Sequence, residues 1–108
     1  MNATERHTSF IDYIEPEELH DATLLRFAQE DNRVTVYIQG QEGHSFVVEF
    51  LDVASIHALS PEGMILYSLT EMKAEPPLRR FVFVNWNKED KAALEIVAKD
   101  LRVIEVDK

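Results

Sequence analysis

His20 and Asp21 stand side by side, with Glu17 and Glu18 just upstream, and no other cluster in the chain comes nearer to reactive chemistry. A carboxylate beside an imidazole can set the tautomer of the ring or share a metal ion with it. The spacing works against both uses. Neighbouring residues on an extended backbone point to opposite faces, so His20 and Asp21 reach one ion only with ligands from elsewhere. A turn or capping contact by Asp21 is the structural alternative, and we place it first.

The remaining chemistry-bearing residues are more scattered. His44 and His57 lack an HExxH pattern or any other ligand spacing that links them to a third donor, so both read as surface or packing residues. Ser45, Ser55, Ser60 and Ser68 have no nucleophile-elbow context, and glycines at 40, 43 and 63 cannot build a phosphate loop. Arg79-Arg80 beside Phe81 is the one basic pair. It could hold a carboxylate or phosphate, but a charged edge guarding an apolar strand is the preferred reading. Trp86, the sole tryptophan, is either core or an interface anchor, with core preferred. No complete ligand set for a metal or cofactor emerges, so none is expected to be needed for folding.

Composition narrows the function classes. The chain has 108 residues, 45% hydrophobic and 29% charged, which suits one packed domain. Twenty acids against eleven Lys and Arg give a formal charge of −9, which repels phosphate backbones and anionic membrane surfaces. Nucleic acid and membrane are therefore not expected partners. Residues 1–31 hold eight of the acids and two of the bases, so a basic protein is the partner that charge favours. Cysteine is absent, which removes disulfides and thiolate chemistry and suits a reducing compartment. Met1 to Phe10 has no apolar stretch of signal-peptide type, and no run approaches membrane-spanning length, so the cytoplasm is the expected location.

The elements that must position these residues are mostly strands. Residues 1–8 are polar and aperiodic and are expected to fray, leaving 9–108 as a single β-rich domain. Phe10 to Leu19 suggests a short helical turn around Pro16. Residues 22–29 fit helix or strand, and a hairpin with the clearly alternating Arg33–Gln39 through Glu30-Asp31-Asn32 favours strand. Gly40 and Gly43 bracket the next turn, His44 to Leu51 reads as strand, and Asp52 to Ser60 is ambiguous, with a helix at 52–59 one option. Met64 to Leu69 and Phe81 to Trp86 are further strands, separated by a loop containing Pro76-Pro77. For the C-terminal stretch, a helix capped at Asn87 competes with strands at 93–98 and 101–106 around a Lys99-Asp100 turn, and the strands are preferred. The expected fold class is α+β: mainly an antiparallel β-sheet of about six to eight strands, curved into a barrel or sandwich, with one or two short helices.

Leu19-His20-Asp21-Ala22 before a β-hairpin, Phe50-Leu51-Asp52-Val53, and Ala93-Leu94-Glu95-Ile96-Val97-Ala98 near the C-terminus together carry a resemblance. The pattern, spanning about residues 19–106, resembles small uncharacterised bacterial β-rich proteins with an HDA motif, some of them grouped with immunity proteins of polymorphic toxin systems. The resemblance implies a compact antiparallel fold and a partner-binding role without catalysis, and it supplies no catalytic residues.

The expected function is a non-catalytic binding protein, immunity-like, whose acidic surface meets a protein partner. Its candidate binding residues are His20, Asp21, Glu17, Glu18, Arg79, Arg80 and Trp86, and no catalytic or metal-ligating residue is assigned. Two alternatives stand beside it: a small enzyme with a His20/Asp21 site, and an oligomeric structural protein. Val47 and Leu51, Ile65 and Leu69, and Val82, Val84 and Trp86 make three strands apolar on both faces, which calls for a second layer: a barrel or sandwich closed within one chain is narrowly preferred, and a homodimer is the alternative.

Overall fold

Strict alternation from Arg33 to Gln39 starts the architecture. Val34, Val36 and Ile38 fall on one face and are buried, while Thr35, Tyr37 and Gln39 lie half-buried on the other. The computed structural model describes residues 10–16, 19–87 and 89–106. Within them seven strands form one antiparallel sheet: β1 (Phe10–Tyr13), β2 (Thr23–Glu30), β3 (Arg33–Gln39), β4 (Ser45–Leu59), β5 (Leu66–Met72), β6 (Arg79–Asn85) and β7 (Ala93–Val106). Their spatial order is β1-β5-β6-β7-β4-β3-β2.

Hairpin chemistry connects most neighbours. Glu30 pairs with Arg33 across a two-residue turn in which Asp31 takes φ 55°, a left-handed conformation that Asp tolerates because its short side chain bonds locally. At the β3–β4 turn only Gly43 uses a positive φ, of 82°; Gly40 has φ −86°, which any residue can adopt. The 15-residue β4 and 14-residue β7 form the spine, paired from Ser45–Val106 to Leu59–Ala93.

One face of this sheet carries the core. Phe50 contacts Phe81 and Phe83 with ring centroids 5.4 and 5.9 Å apart, surrounded by buried Val48, Leu94 and Ile96. Such tilted and edge-on rings add to the burial of their large apolar area. A single sheet buries so many residues on one side only by bending. The bend brings the start of β2 against the chain just before β5: Thr23 and Ile65 form an isolated bridge, Asp21 N donates to Leu66 O at 2.8 Å, and Leu24 N to Met64 O at 2.9 Å. The ladder itself stays open between its end strands β1 and β2.

The α+β expectation is therefore corrected to all-β. Among the described residues there is no α-helix; a one-turn 3-10 helix spans Gln41–Gly43, Leu19 is also in 3-10 conformation, and no helix is long and apolar enough to cross a membrane. Of the stretch 10–19 where a helical turn around Pro16 is expected, residues 10–13 are instead a strand, a tight turn remains where Leu19 N donates to Pro16 O at 3.1 Å, and 52–59 continue β4. Neither a closed barrel nor a two-sheet sandwich forms, because curvature of one sheet already shelters the apolar face. The expected turn at Lys99-Asp100 is also overturned, since β7 runs through it without a break. The frayed segment expected at residues 1–8 lies outside the described residues.

β4 owes its length to an irregularity. Asp52 takes φ 54°, and Asn32 grips it from the β2–β3 turn, Nδ2 donating to Asp52 Oδ1 at 3.2 Å while Asn32 O accepts from Val53 N at 2.8 Å. β3 leaves β4 at the Val34–Phe50 pair, and beyond that clamp β4 continues along β7.

Candidate binding surface

Five rings run in contact along the β1–β5–β6 end of the sheet. Phe10 and Tyr13 of β1 lie 5.0 Å apart, Tyr13 meets His20 at 6.0 Å, His20 meets Tyr67 edge-on at 5.7 Å, and Tyr67 stacks on Trp86 at 5.3 Å with an interplanar angle of 17°. Except for the half-buried His20, these rings are exposed, Trp86 most of all at 57%. Large apolar rings grouped at a surface are the informative exception to ordinary burial.

Local backbone features aim each ring. The ladder between β5 and β6 slips between Leu66 and Ser68, so Tyr67 is the extra residue of a bulge, a device that turns a side chain away from regular alternation. Trp86 directly follows β6; its amide donates to Ile65 O at 2.9 Å, and Asn85 Oδ1 accepts from Asn87 N at 2.9 Å. These bonds fix the chain on both sides of the indole. His20 is set by the turn into β2, where Asp21 takes φ 63° and its carbonyl accepts from Gln41 Nε2 at 3.1 Å.

Two hollows flank the His20–Tyr67 contact. One, of about 370 Å³, is lined by Asp12, Tyr13, Ile14, Glu15 and His20. The other, of about 450 Å³, is lined by Tyr67, Val84, Asn85 and Trp86. Among the described residues neither is lined by Lys or Arg. The Tyr13 and Tyr67 hydroxyls and the Trp86 indole N–H make no hydrogen bond among the described residues, which leaves amphipathic rings with unused polar tips.

The residues singled out from sequence separate here. His20 and Trp86 fall on the same surface, joined through Tyr67, but His20 and Asp21 do not pair: among the described residues no hydrogen bond links them, and Asp21 serves the turn. Glu17 and Glu18 lie outside the described residues. No group of three or more His, Asp or Glu side chains gathers as a metal site among the described residues. Trp86 is not a core residue, because the buried face of β6 is taken by Phe81 and Phe83.

Arg79 and Arg80 belong elsewhere. β6 lies between β5 and β7, so neither arginine guards an edge. Arg79 makes a two-bond fork to Glu71, Nε to Oε2 and Nη2 to Oε1 both at 2.9 Å, and reaches Asp100 Oδ1 at 3.0 Å. The Glu71 hydrogen bond raises the guanidinium pKa above its ordinary value, with partial burial opposing and the Glu71 and Asp100 charges adding. Arg80 forks to Glu95 at 2.8 and 3.2 Å. Both cations are occupied by carboxylates of their own chain, so an anion from outside would have to displace one.

Sequence reasoning missed Tyr13 and Tyr67. Tyr67 carried no signal, because a bulge is invisible in the pattern around it; Tyr13 sat among apolar residues assigned to a helical turn.

Searches against protein-family models, curated proteins and solved structures found no match to this chain.

Proposed function

We propose that this chain is a non-catalytic binding protein, immunity-like in role, which meets a basic protein partner through the Tyr13–His20–Tyr67–Trp86 surface. The observation that carries this reading is the stacked, exposed Tyr67–Trp86 pair. A tryptophan and tyrosines fixed at the surface supply large contact area at small entropic cost, and these residue types dominate the energetics of protein interfaces. The formal charge of −9 supports a basic partner, which it would steer into encounter.

The test is affinity capture from the source cells, identification of the captured protein, and reconstitution with that protein purified. Trp86→Ala and Tyr67→Ala are expected to weaken the reconstituted complex at least about tenfold, as buried aromatic anchors do. Full affinity in both variants rejects this surface. Self-association through the same rings is the competing use, favoured by exposed Ile65 beside them. Sedimentation at micromolar concentration decides it, a mass of 12.5 kDa rejecting the homodimer.

A further inference from the structure

Resting on that reading, we propose that the partner is engaged through an extended basic segment that places a Lys or Arg in the hollow lined by Asp12, Tyr13, Glu15 and His20. A neighbouring apolar side chain of the same segment enters the Tyr67–Trp86 hollow.

The first argument is charge. Several acids of the sheet are held by arginines of the same chain: Glu71 and Asp100 by Arg79, Glu95 by Arg80, and Glu49 by Arg102 at 2.6 Å. Asp12 and Glu15 have no ion-pair partner among the described residues, and the only bond to the Asp12 carboxylate comes from the neighbouring Tyr13 amide, at 2.8 Å. In the ladder Asp12 lies opposite Glu71, whose own charge is taken by Arg79. Two unanswered carboxylates line one small concavity.

The second argument is the rings. Tyr13 lines the same hollow as these acids, and an aromatic face beside a carboxylate is suited to a cation, since ring quadrupole and negative charge attract it together. This fold already uses the interaction internally, Arg26 lying 3.9 Å from the Tyr37 ring centroid. Across the His20–Tyr67 contact the second hollow has Tyr67, Val84 and Trp86 in its lining and, among the described residues, no charged one. A cationic position followed by an apolar one is the complementary order. The contiguous row of rings favours an extended chain lying along it over a single point contact.

A positional-scanning decapeptide library, panned on the full chain and followed by titration of the selected peptides, tests this. Trp86 is the sole tryptophan, so its fluorescence reports occupancy of the surface directly. Lys or Arg is expected at one position with an apolar residue nearby. The selected peptide is expected to shift Trp86 emission, to lose affinity as salt rises, and to bind Asp12→Asn/Glu15→Gln about tenfold more weakly. The double variant should melt within about 2 °C of the parent, as exposed substitutions do, which separates lost recognition from lost folding. Selection of acidic or uncharged sequences, no selection at all, or equal binding by the double variant overturns the inference. The two failures remain distinguishable. A purified partner that depends on Trp86 and Tyr67 but ignores Asp12, Glu15 and salt keeps the binding surface and rejects the basic segment, whereas indifference to Trp86 and Tyr67 rejects the surface itself.

Discussion

Tyr67 and Trp86 lie nearly parallel with centroids 5.3 Å apart, and both remain open to solvent. The pair joins a bulge in β5 to the residue that follows β6, and it fixes two rings at the surface instead of burying them. Their contribution to stability is accordingly small. Trp86→Ala is expected to cost less than about 1 kcal/mol in denaturant unfolding, whereas Phe83→Ala, three residues earlier and buried in the core, should cost about 3–5 kcal/mol. Comparable losses for the two variants would return Trp86 to the core.

The Ser68 hydroxyl is buried with no hydrogen-bond partner among the described residues. An unsatisfied buried hydroxyl costs its desolvation with no return, so Ser68→Ala is expected to raise stability by about 1 kcal/mol. A fall in the unfolding midpoint would show that the oxygen is serving as an acceptor or donor after all.

The fork between Arg79 and Glu71 is the best-shielded ion pair of the sheet, with the Glu71 side chain 13% exposed and that of Asp100 64% exposed. Replacing Arg79 by Met strands a nearly buried carboxylate and is expected to destabilise by about 1–3 kcal/mol. Asp100→Asn should cost less than about 0.5 kcal/mol, the usual worth of an exposed pair. A double-mutant cycle with Glu71→Gln measures the difference, and equal coupling to Glu71 and Asp100 would contradict it.

At Asp52 the backbone has φ 54°. Asp52→Gly should be nearly neutral because glycine accepts that conformation, while Asp52→Val is expected to lose about 1–2 kcal/mol from a β-branched side chain forced into it. Thermal melts of the two variants that coincide would mean the backbone relaxes there.

Arg33–Gln39 is legible at once because its alternation is unbroken. The strands confusable with helix contain bulges. In β2 the register slips between Leu24 and Arg26, so Leu24 and Phe27 both face inward at a spacing of three. In β4 the slip between Val53 and Ser55 does the same for Val53 and Ile56. In β5, which the sequence does show as a strand, the same device places Leu66 and Leu69 inward. An inserted residue turns a period of two into a local spacing of three, which is also half of the helical signature. The Lys99-Asp100 pair misled for a related reason: Ala98 and Leu101 both pack on the core, and the exposed pair between them looked like a turn. Of the site, His20 and Trp86 were visible as residue types. Their junction through Tyr67 was not, because a contact between residues so far apart in sequence exists only in the folded chain.

That junction has a kinetic consequence. The five rings come from positions 10, 13, 20, 67 and 86, and they meet only when the N-terminal stretch has docked against β5, which itself lies next to β1 at the far end of the strand order from β2. Contacts spanning so much of the chain carry a large loop-closure cost and form late. The aromatic row is thus absent from a partly folded or freshly emerging polypeptide, and a ligand that requires all five rings would select finished molecules over nascent ones.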